Sequence, residues 1–144
     1  MKHEKVLFVY STLIREGMVA SGYYQPDAVL FDVDHKKNYS LAVTVGFVYE
    51  SDVIYWNEID VIFDNKSVID KKHDGESTFN VLASSKPNTN DIVNVASFYL
   101  KGVNLPEPGI YTAIVSLYDS DEHGEKRSLI DKKECSFVVA GSNN

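Results

Sequence analysis

The sequence predicts an all-β fold, an antiparallel β-sandwich of about 7–9 strands with little helix, and three observations carry that prediction. Most apolar runs alternate at period two, so that large side chains fall on one face of an extended segment. Turn chemistry interrupts those runs roughly every 8–15 residues. No stretch of about ten or more residues shows an amphipathic period of 3.6.

The elements follow in order. Lys5–Leu13 reads as the opening strand, and Arg15-Glu16-Gly17 as a turn leading to a second extended run at Met18–Tyr24. A short strand is expected over Val29–Val33, between Pro26-Asp27 and Asp34-His35-Lys36-Lys37. Asn38–Glu50 gives the clearest pattern: Tyr39, Leu41, Val43, Val45, Phe47 and Tyr49 share one face. Asp52–Asp64 repeats it, with Val53, Tyr55, Ile59, Val61 and Phe63 on one side. Asn57 interrupts that apolar face, which implies a bulge or a buried hydrogen bond. Glu50-Ser51-Asp52 reads as a short turn, which makes the two runs a hairpin. Thr78–Ser84, Asp91–Lys101 and Ile110–Asp119 follow as strands. The last strand runs from about Arg127 to Val139, with a bend or bulge at Asp131-Lys132-Lys133. Residues 1–139 form one domain on this reading, and 140–144 a flexible tail.

Charge and composition narrow the function. Twenty-one acidic residues against fourteen basic ones give a net charge of −7, which repels phosphate backbones and argues against nucleic-acid binding. No apolar run approaches the ~20 residues of a membrane helix, so no membrane is expected. The basic and apolar opening Met1–Tyr10 is broken by Glu4 and lacks a small-x-small cleavage site; it reads as a strand, and the expected location is cytoplasmic. Cys135 is the single cysteine, in a strand-like context beside Glu134. No internal disulfide is available to it, and a buried or half-buried structural thiol is expected.

The search for chemistry yields little. Asp119-x-Asp121-x-His123-Gly124 opens like a calcium loop, but its twelfth position is Ile130 where a bidentate Glu belongs. His3, His35, His73 and His123 show no metal-ligand spacing. No nucleophile elbow, phosphate cradle or dinucleotide motif is present, and no catalytic residue, metal or cofactor is expected. What stands out is a surface. Ile54, Trp56, Glu58 and Asp60 share the face opposite the apolar one, so an indole and an isoleucine sit among carboxylates, as interface anchors do.

Pro108-Gly109-Ile110-Tyr111-Thr112-Ala113-Ile114-Val115 resembles the P-G-x-Y-x-x-x-V signal of immunoglobulin-like sandwiches. In such a corner the Pro-Gly pair turns the chain, and the Tyr ring enters the core while its hydroxyl returns to nearby backbone. More widely, the opening strand and turn (Val6–Tyr24), the run Tyr39–Tyr49 and the segment Phe98–Tyr118 resemble a family of small uncharacterised bacterial immunoglobulin-like β-sandwich proteins. That resemblance implies an immunoglobulin-like fold and brings no activity with it. The expected function is therefore a non-enzymatic module of a bacterial or phage cytoplasmic system. It binds another protein or itself through Trp56, Ile54, Glu58 and Asp60. Two alternatives stand beside it: a small acidic inhibitor or immunity-type protein that blocks a basic site, and a carbohydrate-binding domain or enzyme that uses Trp56, Glu58 and Asp60.

Overall fold

Side-chain alternation separates two sheets in the computed structural model, which describes residues 4–15, 24–50, 53–69, 76–84 and 91–141. Nine strands lie among them: β1 (Lys5–Leu13), β2 (Val29–Leu30), β3 (Asn38–Glu50), β4 (Trp56–Phe63), β5 (Lys66–Ser67), β6 (Glu76–Ser84), β7 (Asp91–Asn104), β8 (Gly109–Ser120) and β9 (Lys126–Val139). One sheet has the order β1-β3-β7-β6, the other β2-β9-β8-β4-β5. The protein is all-β among the described residues, with two stacked, unclosed sheets and no helix, so no helix is long and apolar enough to cross a membrane. The turn and strand expected over residues 15–24 fall almost wholly outside the described residues.

The core lies where the period-two faces meet. Leu41, Val43, Val45 and Phe47 of β3 are buried, as are Ala96 and Leu100 of β7. Facing them are Val61 of β4, the β8 residues Tyr111, Ala113, Val115 and Leu117, and Phe137 and Val139 of β9. Each large side chain buried in this way contributes about 1.5–3 kcal/mol. Phe47 stacks on Tyr49 at 4.9 Å and meets Phe98 edge-on at 6.4 Å.

Two expectations need correction. Residues 38–64 do not form a hairpin: β3 pairs with β1 and β7, whereas β4 pairs with β8 and β5. The chain crosses from one sheet to the other after Glu50, so the two apolar faces meet across the core instead of lying side by side. The strand expected over Val29–Val33 keeps only Val29–Leu30, because Asp32 adopts a φ of 57° and breaks the extended backbone. β2 also runs parallel to β9, the one departure from antiparallel pairing among the described ladders.

Other details follow the residues. β9 slips register between its pairs Leu117–Asp131 and Tyr118–Leu129, which places a bulge next to the Asp131-Lys132-Lys133 cluster. Inside the sandwich the Asp131 carboxylate accepts the backbone N–H of Val6 at 2.9 Å. The tail is tied down at its start, since Ala140 donates to the Leu30 carbonyl at 2.9 Å; residues 142–144 lie outside the described residues. Asp64 and Asn65, both at positive φ (53° and 61°), make the two-residue turn between β4 and β5. Tyr111 forms the expected corner: its hydroxyl donates to the Glu107 carbonyl at 2.7 Å and accepts the Glu107 N–H at 3.2 Å.

Cys135 is half-buried in β9, beside a small cleft of about 180 Å³ lined by Tyr10, Ser11, Pro26 and Asp27. Burial pushes its thiol up, only partly offset by hydrogen bonds with Ser11 and the Ala113 backbone. The thiolate is the reactive form, so Cys135 should react with a disulfide reagent at neutral pH at least ~10-fold more slowly in the native protein than in urea. Equal rates in the two states would contradict the placement of this side chain.

Candidate functional site

Antiparallel register gathers the exposed apolar residues of the five-stranded sheet into rows. Trp56 of β4 lies opposite Tyr118 of β8, and Tyr118 lies opposite Leu129 of β9. All three project from the outer face: Trp56 and Tyr118 alternate with the inward Val61 and Leu117, and the register slip between Asp131 and Leu129 turns Leu129 outward beside Tyr118 while Ile130 packs on the core. Trp56 is 41% exposed and Leu129 53%, with the half-buried Tyr118 between them, so the row is a largely apolar strip across three strands. Ile54, at 62% exposure, extends it just ahead of β4.

The strip is held in place by its polar neighbours. The Trp56 indole N–H donates to the Gly124 carbonyl at 2.9 Å, which pins the ring against the β8–β9 turn. The Ser120 hydroxyl donates to the Ile54 carbonyl at 2.7 Å and fixes the approach to β4. Glu58 accepts the Tyr118 hydroxyl at 3.2 Å and forms an ion pair with Lys126. The Lys126 ammonium lies 4.8 Å from the centre of the Tyr118 ring, and its hydrogen bond to Glu58 raises its pKa. Such exposed pairs add little stability, but they orient side chains.

The turn behind the strip is organised by aspartates. Asp119 is buried and accepts from Arg127 Nη2 at 2.6 Å and from the Ser128 N–H at 2.8 Å. Asp121 Oδ1 accepts the N–H groups of His123 and Glu125 at 2.8 and 2.9 Å. The residues that opened like a calcium loop thus hold a hairpin turn together. Among the described residues no three His, Cys, Asp or Glu side chains group as metal ligands would.

Of the four residues singled out in the sequence, Ile54, Trp56 and Glu58 meet at this strip. Asp60 lies further along β4 and turns to the strand edge: its Oδ1 accepts the Ser67 hydroxyl at 2.6 Å and the Val61 N–H at 2.9 Å. Tyr118, Leu129 and Lys126 were missed. Alternation along residues 110–119 does place Tyr118 on the outer face, but only the register brings it beside Trp56. Asn57, where the alternation implies a bulge or a buried hydrogen bond, makes a part-buried hydrogen bond, a long one of 3.4 Å from Nδ2 to the Tyr49 hydroxyl. A separate cleft of about 540 Å³, lined by Asn38, Phe63, Ser67, Asn104 and Glu107, opens at the far end of β4.

Comparisons with protein-family models, with curated proteins and with solved structures find no match for this chain.

Proposed function

We propose that the chain is an immunoglobulin-like, non-enzymatic binding module of a bacterial or phage cytoplasmic system, and that it contacts a partner protein through the outer face of its five-stranded sheet. The observation that carries this reading is the row Trp56–Tyr118–Leu129, exposed at Trp56 and Leu129, with the exposed Ile54 beside it. Aromatic side chains held rigidly in the open lose little entropy on binding and supply much of the energy of interfaces. The Glu58–Lys126 pair forms a polar border to the strip, as the rim of an interface does. The Tyr111 corner and the two stacked sheets support the immunoglobulin-like form and the resemblance to the bacterial family.

The test is quantitative affinity purification from the native cell with the wild-type chain, Trp56→Ala and Leu129→Glu. Light scattering on each variant follows self-association. Both variants should stay folded, since neither side chain belongs to the core, and should lose the same set of partners, or the same oligomer, by at least ~10-fold. Unchanged recovery and unchanged mass in both variants would remove the strip as the contact surface.

A further inference from the structure

The chain abandons one edge of β4 early. β5 pairs with β4 only at Ile62–Ser67 and Phe63–Lys66, and the Val68 N–H adds one bond to the Val61 carbonyl at 2.9 Å. The Val68 carbonyl then accepts from Asn104 at 2.8 Å, and Ile69 bridges to Val103. The backbone has left for the other sheet. The Val61 N–H, which a longer β5 would have taken, is capped by Asp60 at 2.9 Å.

Backbone groups alternate between the two sides of an antiparallel strand. Val61 faces away from β8, so Ile59 and Asn57 face the same way, while Trp56, Glu58 and Asp60 bond to β8. Among the described residues, no backbone partner faces Asn57 or Ile59 on that side. An open row of N–H and C=O groups has one natural complement, the backbone of another extended strand.

The side chains specify that strand. A residue added opposite Trp56, Glu58 or Asp60 lies on the same outer face as they do. Glu58, which also holds Lys126, and Asp60, whose partners are neutral donors, put two carboxylates on alternate positions and favour lysine or arginine opposite, and the exposed indole favours an apolar group. Two-fold pairing of two copies of this chain, centred on Glu58 or Ile59, sets carboxylate against carboxylate and is disfavoured. We propose that the open edge of β4 at Asn57–Ile59 accepts an extended segment of a partner protein, basic opposite Glu58 and Asp60 and apolar opposite Trp56. This rests on the reading of the Trp56 face as the binding surface and adds the backbone to it.

The probes are an end-blocked nine-residue peptide, with lysine and leucine on one face and threonine on the other, its analogue with glutamate for lysine, and its analogue N-methylated at alternate amides. Trp56, the one tryptophan, reports binding by fluorescence, and amide exchange reports protection. The basic peptide should bind and protect the amides of Asn57 and Ile59. Both analogues should bind at least ~10-fold more weakly. Asn57→Pro removes the edge donor and should abolish binding, whereas Asn57→Ala, which loses the same side chain, should retain it. Equal affinity for the lysine and glutamate peptides, indifference to N-methylation, or no binding of the basic peptide overturns the proposal. So does a dimer of this chain that Asn57→Pro dissolves, since the occupant is then a second copy. If the peptides fail while Trp56→Ala still loses partners, the edge falls and the face stands. If the peptides bind while partner recovery ignores Trp56→Ala, the face falls.

Discussion

Gly109→Val is expected to lower the unfolding free energy by about 3 kcal/mol or more, measured by urea denaturation. Two costs add. The backbone at Gly109 has φ 147°, a conformation that side-chain-bearing residues rarely adopt and that costs them about 1–3 kcal/mol. A Cβ placed there would also lie 2.8 Å from Phe63 Cε1 and 3.3 Å from Cζ. Phe63 is held on one side, because its ring stacks at 4.3 Å on the buried Tyr111, which stacks in turn at 5.6 Å on Phe137, so it can yield only toward the cleft that it lines. Overpacking of this kind typically costs a further ~1–3 kcal/mol. Tyr111→Phe is the milder companion. It removes the two bonds to the Glu107 backbone, keeps the ring, and should cost only about 1–2 kcal/mol. A loss of less than ~1 kcal/mol for Gly109→Val would mean that Phe63 moves freely and that the corner is not a packed unit.

That corner was legible in the sequence because Pro108, Gly109 and Tyr111 are local to one another, and local geometry is what a short motif encodes. The inner faces of β3 and β8 were legible for a similar reason: alternation is a property of one strand. Pairing is not. The patterns of Asn38–Glu50 and Asp52–Asp64 say which side chains turn inward, and they are equally compatible with adjacent strands and with strands on opposite sheets. The choice is made by β7, which takes the flank of β3 that a hairpin would have given to β4. The same limit applies to the candidate site. Ile54, Trp56 and Glu58 follow from one strand, whereas Tyr118, Leu129 and Lys126 join them only through the ladders β4–β8 and β8–β9. Asp60 illustrates the converse. Its face was read correctly, but its carboxylate serves the strand edge that β5 leaves behind, a role set by where the chain goes next.

Raising the pH from 10 to 12 is expected to destabilise the fold by a few kcal/mol, through tyrosines held neutral inside it. Tyr49 stacks between Phe47 at 4.9 Å and Tyr55 at 4.7 Å, and burial pushes its pKa up to about 12. Tyr55 is raised too, first by burial and then by the hydrogen bond its hydroxyl donates to Glu4 at 2.5 Å. Burial also raises Tyr111, against the opposing hydrogen bond from the Glu107 backbone. Unfolded tyrosines ionise near pH 10. Above that pH the folded state keeps protons that the unfolded state has released, so stability must fall as pH rises. The contribution is complete below pH 10 and is lost as the pH climbs through the folded values. Phenolate absorbance should therefore show a late-titrating fraction among the nine tyrosines, and the urea midpoint should drop over the same range. Tyr49→Phe separates this linkage from general alkaline damage. The variant gives up only the 3.4 Å contact from Asn57, so it should cost little at neutral pH and flatten the profile between pH 10 and 12. Nine tyrosines titrating together near pH 10 in the native protein would show that the phenols of Tyr49 and Tyr55 are open to water, and the closed end of the core built around them would then be wrong.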